Sequence, residues 1–189
     1  MLRKDTLEFR RCYEEQVRPD LYIIEGPWRG RLAIFSRPRG DEWLRDEIEG
    51  WVDSEIDVIV SLLTSQEISE LGLADESLIA SELEIQFINY PIPDYDVPVS
   101  STTFHRLVHK LSELLSNGKS IGIHCRQGIG RSSLLAASLL SYFNVSVDEA
   151  FRRIRSARRT LVPDTAGQRE WVTNFSDHLK DNNAEHHVS

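Results

Sequence analysis

The sequence predicts an α/β fold, with a central, mostly parallel sheet, helices on both of its faces, and a cysteine-bearing loop running from a strand into a helix. Three observations carry that expectation. Short apolar runs alternate with longer stretches of helical period along most of the chain. Two of the runs, IDVIVSLL (56–63) and SIGIHC (120–125), are apolar nearly throughout, as strands covered on both faces must be. The second of these ends on a cysteine, and a glycine-containing loop and a strongly apolar helix follow it directly.

Taken in order, LYIIEG (21–26) and RLAIFS (31–36) form a strand pair joined by the turn residues Gly26, Pro27 and Gly30. A helix follows around Asp41 to Val52, and IDVIVSLL then runs inside the sheet. SQEISELG and DESLIASEL read as short helices, and LEIQFINYPI (83–92) as the next strand. Residues 102–116 alternate at helical period until Asn117 and Gly118 stop them. SIGIHC and the helix SSLLAASLLSYF (132–143) frame the loop, and VSVDEAFRRIRSARR and GQREWVTNFSDHL supply two more amphipathic helices. Alternation of this kind is resolved by packing helices against both faces of one sheet. Trp28, Trp43, Trp51 and Trp171 fall in apolar-periodic contexts and are expected in the core.

A chain of 189 residues with 40% apolar and 28% charged residues suits one globular domain, expected over 1–180 with a disordered polar tail over 181–189. The net charge of −8 argues against general nucleic-acid binding, because a phosphate backbone would meet a repulsive averaged field. An anion must then be held by a local site. No apolar run reaches the length of a membrane span, and the segment MLRKDTLEFRRCYEEQ lacks the apolar centre of a leader, so a cytoplasmic protein without a membrane partner is expected. Cys12 and Cys125 do not make a disulfide framework, which leaves a thiol for chemistry. No set of His, Cys and carboxylate residues has ligand spacing, so neither metal nor cofactor is implied, and a monomer is expected.

The chemistry concentrates in His124-Cys125-Arg126-Gln127-Gly128-Ile129-Gly130-Arg131-Ser132. Ligands bind at the carboxyl ends of strands in open α/β sheets, which is where this loop lies. Gly128 and Gly130 let the backbone turn successive N–H groups of residues 126–130 inward, and the following helix adds its positive end, so the loop forms a cradle of phosphate size. The same field favours a thiolate on Cys125 over the thiol, which makes that residue the candidate nucleophile. The Arg131 fork can bind two phosphoryl oxygens at once, and Ser132 is placed to hydrogen-bond the sulfur as it leaves. His124 orients the loop.

The segment His-Cys-x5-Arg-Ser resembles the signature of the protein tyrosine and dual-specificity phosphatase superfamily. Upstream, Tyr90-Pro-Ile-Pro-Asp94-Tyr-Asp96-Val-Pro98 is a proline-stiffened loop after a strand, carrying two candidate general acids. Its Pro-Ile-Pro-Asp-x-x-x-Pro pattern resembles the acid loop of atypical dual-specificity phosphatases of the kinase-associated phosphatase type. That resemblance implies a phosphatase-type cysteine loop, a phosphocysteine intermediate, Asp94 as the acid with Asp96 as the alternative, and phosphorylated proteins as substrate. It also makes Gln168 the match for a glutamine that positions the hydrolytic water. The departures are Arg126 and Gln127, at positions where many members have smaller residues, and the lack of the added recognition loop that deepens tyrosine-specific pockets. A shallower site, open to phosphoserine and phosphothreonine as well as phosphotyrosine, is the consequence.

Arg152, Arg153, Arg155, Arg158 and Arg159 stand within eight residues of an acidic chain, either as a solvated helix face or as a rim that attracts acidic substrates. A phosphoinositide phosphatase would use the same nucleophile and acid, with Arg126 holding an extra phosphate. A silent phosphoprotein-binding module would have lost Cys125, Arg131 or Asp94, and a rhodanese-like transferase has a shorter loop with no upstream acid.

Overall fold

The computed structural model describes residues 20–186; Cys12, the N-terminal segment and residues 187–189 lie outside them. The elements are β1 (Tyr22–Ile24), β2 (Arg31–Ser36), α1 (Leu44–Asp53), β3 (Val58–Ser61), α2 (Ser65–Glu70), α3 (Glu76–Glu82), β4 (Gln86–Asn89), α4 (Ser101–Ser116), β5 (Ser120–Cys125), α5 (Gly130–Tyr142), α6 (Val147–Arg158) and α7 (Ala166–His186). One turn of 3-10 helix, Asp41–Trp43, leads into α1.

The sheet order is β1-β2-β5-β3-β4, parallel except for the antiparallel hairpin partner β1. β5 is central, with Ile123 beside Ile34 on one side and Val60 on the other, so Cys125 emerges from the middle of the sheet's carboxyl edge. The strands are shorter than their apolar runs. Leu62, Leu63 and Ile92 continue past the ladder as buried anchors for the loops that follow.

Period-two alternation divides the core. Leu32, Ile34, Val58, Val60, Ile121 and Ile123 face α4, α5, α6 and α7, whereas Ala33, Phe35 and Ile59 face Leu44, Ile48 and Trp51 of α1 and Ile79 and Ala80 of α3. Each fully buried Leu or Ile contributes about 1.5–3 kcal/mol of transfer free energy, so the two faces together hold the sheet rigid. Helix α5 is buried over every residue from Gly130 to Ser141. A helix apolar on all sides must be enclosed, and here that makes it a fixed mount for Arg131 at its start.

Two expectations are corrected. Trp43 is exposed, because the 3-10 turn carries its ring outside the core, where the Arg39 guanidinium lies 4.7 Å from the ring centroid. The polar segment from Asp181 is helical as far as His186, since each residue added to a formed helix gains a backbone bond without a new nucleation cost. Trp51 is in the core, with Trp28 and Trp171 packed at its margin.

Candidate active site

The loop after β5 turns at Gly128, whose φ of 65° lies in the left-handed region. A Cβ there would also come 2.4 Å from the Phe35 carbonyl oxygen, so only glycine fits. Gly130 keeps an ordinary φ and is required for a different reason than the one expected. A Cβ on it would come 2.1 Å from Asp164 Oδ2 and 2.9 Å from Gln168 Oε1. Helix α5 begins directly out of the loop with no side-chain cap, which leaves its first N–H groups to the cradle. Cys125 is 3% exposed at the base, while Arg126 and Gln127 stand exposed at the mouth. Ser36 Oγ and Arg158 Nη2 both donate to the Gln127 carbonyl, at 3.1 and 3.0 Å, pinning the loop's outer side.

Arg131 is 1% exposed, and its guanidinium is held on one edge by Glu67, with Nη1 to Oε2 and Nη2 to Oε1 both 2.8 Å. Nη1 also donates to the Ile92 carbonyl at 2.9 Å, and Nη2 lies 2.9 Å from Asp94 Oδ1. Nε is buried without a partner among the described residues. Burial opposes the arginine's charge, but the Glu67 hydrogen bonds, the adjacent Cys125 sulfur and the Glu67 and Asp94 carboxylates outweigh it and hold the group above its ordinary value. The fork is therefore a fixed cation close to the sulfur, with its Nε left unpaired.

Glu67 was not among the sequence-predicted site residues. Its signal is local: Thr64 and Glu67 form a capping box, with Glu67 N to Thr64 Oγ1 at 3.3 Å and Thr64 N to Glu67 Oε2 at 3.0 Å. A T-x-x-E directly after an apolar strand is readable as such. That the carboxylate also reaches Arg131 follows only from β3 lying beside β5. Burial raises the Glu67 carboxyl, and the Arg131 and Thr64 hydrogen bonds more than offset this, so it lies below the ordinary glutamate value.

The two candidate acids are treated differently. Asp94 reaches the guanidinium with a side chain that is 36% exposed. Asp96 turns back on its own loop, its Oδ1 accepting from Val97 N at 2.8 Å and its carbonyl accepting from Gln168 Nε2 at 3.1 Å. Gln168 is fully buried; its Oε1 accepts from Thr165 N at 3.3 Å, and its own N–H donates to Thr165 Oγ1 at 3.1 Å. Both ends of the Gln168 amide thus take part in capping α7 and in tying the acid loop down, and Oε1 stands beside Gly130 of the cysteine loop.

His124 lies with its Nε2 2.8 Å from Glu76 Oε1, both fully buried, and its ring stacks on Phe35 and Trp51 at 5.9 and 6.0 Å between centroids. It braces the strand end from the face opposite Cys125. Ser132 Oγ is buried and has no hydrogen-bond partner among the described residues. Of the arginine cluster, Arg152 and Arg153 pair with Glu149, whose carboxyl they hold at about 2, as a solvated helix face would. Arg158 instead stacks on Tyr22, 3.9 Å from the ring centroid, and touches the loop.

Comparison with known proteins agrees with this geometry. Residues 52–177 match the family model described as dual specificity phosphatase, catalytic domain. Cyclin-dependent kinase inhibitor 3 of Rattus norvegicus is 32% identical over 93 residues, covering 48% of this chain and 43% of that protein. The putative tyrosine phosphatase 067L of Invertebrate iridescent virus 3 is 36% identical over 100 residues, covering 49% and 41%. The matched regions thus span less than half the length of either relative. Among solved structures, kinase associated phosphatase with its catalytic-site cysteine replaced by serine superposes with a TM-score of 0.80 at 21% identity, over 86% of this chain and 97% of that one. Tk-PTP in its active form superposes with a TM-score of 0.69 at 25% identity, over 84% and 97%. A family match across two thirds of the chain, on a fold that brings the cysteine loop and the buried arginine together, leads to one conclusion: the chain belongs to the dual-specificity phosphatase family, and its fold resembles that of kinase associated phosphatase.

Proposed function

We propose that this enzyme dephosphorylates phosphoproteins at tyrosine, and at serine and threonine, through a phosphocysteine intermediate on Cys125. The observation that carries the reading is the Arg131 guanidinium, locked by Glu67 close to the sulfur with its Nε unpaired and Asp94 on its neighbouring Nη2. A phosphoryl group entering the cradle takes Nε–H and Nη2–H as a bidentate pair and displaces Asp94 from Nη2. Binding thereby releases the Asp94 carboxylate from the cation toward the leaving oxygen, where it takes up a proton from solvent and becomes the acid. The thiolate attacks phosphorus, the S–P bond forms, the P–O bond breaks, and Asp94 gives its proton to the departing alkoxide or phenoxide. The backbone N–H groups of residues 126–129 and the Arg131 guanidinium hold the equatorial oxygens through this change, and Ser132 rotates onto the sulfur when it leaves in the second step.

The exposed Arg126 and Gln127 at the mouth support a shallow, tolerant site, and the kinase-related names of the relatives support a phosphoprotein substrate. A thiolate nucleophile suits a monomer working without metal or cofactor in the reducing cytoplasm. Cys125→Ser should abolish turnover of an aryl phosphate while vanadate still binds, because backbone donors make the cradle. Turnover retained by that variant overturns the mechanism, and preferential hydrolysis of an inositol lipid over tyrosine-, serine- and threonine-phosphorylated peptides overturns the substrate class.

A further inference from the structure

Asp164 is a charged group at the loop that neither the sequence reading nor the first half-reaction uses. It lies between α6 and α7, two residues after Val162, whose side chain is buried and anchors the segment. Its carboxylate rests on Gly130, the residue before Arg131: a Cβ at Gly130 would come 2.1 Å from Oδ2 and 2.8 Å from Cγ. The Gly130 N–H is directed at that carboxylate, and Asp94 and Arg131 are the charged groups that act on it. Burial and then the like charge of Asp94 raise its carboxyl above the ordinary aspartate value, against the pull of Arg131 and the Gly130 N–H. Nothing about the fold asks for it there. Thr165 and Gln168 already cap α7, and Asp164 is exposed and enters no ion pair among the described residues. A carboxylate kept against its own electrostatic preference at the lip of a cradle for anions breaks a local rule, and such breaches gather at functional sites.

We infer that Asp164 orients the hydrolytic water in the second half-reaction. The inference rests on the phosphocysteine reading proposed above. Once the alcohol has left, Asp94 is a carboxylate and water enters the space of the departed oxygen. Asp94 accepts one O–H and Asp164 the other, which leaves a lone pair aimed at phosphorus. The O–P bond forms, the P–S bond breaks with its electron pair returning to Sγ, and the proton passes to Asp94, which restores both the thiolate and the acid and frees hydrogen phosphate. One carboxylate takes the proton and the other sets direction. Gly130 is the residue that makes the room.

Rapid-mixing kinetics on the full chain with an activated aryl phosphate separate the two steps. In Asp164→Ala the first-turnover burst should stay within about twofold of wild type, while the rate of dephosphorylation falls at least roughly tenfold, as loss of orientation does. Acid-quenched protein should then carry a phosphoryl group on Cys125 at steady state. Asp164→Asn, which keeps a carbonyl acceptor in the same place, should recover most of the rate. Because the residue is exposed and enters no ion pair among the described residues, the fold should stand without it, which circular dichroism of both variants checks, and equal slowing of burst and turnover in both variants would assign Asp164 to binding and overturn the inference. An adduct trapped in wild type that fails to accumulate in Asp164→Ala overturns it equally. No adduct in wild type, or an active Cys125→Ser, sinks the phosphocysteine reading itself.

Discussion

Glu67→Gln removes one charge from a buried, doubly hydrogen-bonded pair and leaves every other contact of Arg131 formally in place. The side chains of Arg131 and Glu67 are 1% and 9% exposed, and two 2.8 Å bonds join them. Breaking such a pair from one side typically costs 3–5 kcal/mol because the remaining charge stays buried. Asp94 and the Ile92 carbonyl still face the guanidinium, which argues for the lower end, about 3 kcal/mol. For a domain of this size that lowers the melting temperature by roughly 6–12 °C. The sign with pH follows from the direction of the Glu67 shift. Its carboxyl is held below the ordinary glutamate value, so the pair's contribution is present above that value and is lost as pH falls through the depressed one. Thermal unfolding of wild type and variant, followed by circular dichroism from neutral pH downward, should therefore show a gap that is full at neutrality and closes in acid. The kcat/KM for a phosphopeptide should also fall about 100-fold, since a fork no longer fixed by Glu67 must order itself on each substrate. A variant that melts within a degree of wild type at neutral pH and keeps its kcat/KM refutes the view that Glu67 builds the site.

Two further outcomes are expected. Asp94→Asn should slow hydrolysis of phosphotyrosine and phosphoserine peptides by about 10² to 10⁴-fold and an activated aryl phosphate much less, because only the poor leaving groups need the proton. Asp96→Asn should do little in either steady-state assay, because it is Asp94 that reaches the Arg131 guanidinium, and the reverse pattern would move the acid to Asp96. Gly128→Ala puts a Cβ 2.4 Å from a backbone oxygen at a φ of 65°, so it should lower the unfolding free energy by about 1–3 kcal/mol and weaken vanadate binding in calorimetry. Unchanged binding would show that the cradle does not depend on that turn.

Helix and strand order, the position of β5 inside the sheet and the cysteine loop at its end could all be read from the chain, because they depend on local periodicity and on residues adjacent in sequence. The nucleophile, the arginine and the loop glycines lie within seven residues, so their chemistry shares one local backbone. The sequence by itself determined the proposed reaction centre for that reason. What surrounds it was decided by the fold. Glu67 comes to Arg131 across 64 residues through the pairing of β3 with β5, and Asp94 is distinguished from Asp96 only by which of them reaches the guanidinium. Asp164 and Gln168 both reach Gly130 from beyond α6, where no spacing along the chain announces them. Charges and hydrogen bonds act through space over a few ångströms, whereas residue patterns report only neighbours along the chain, so the groups that tune a site drawn from five separate segments are fixed by packing and carry almost no signature of their own.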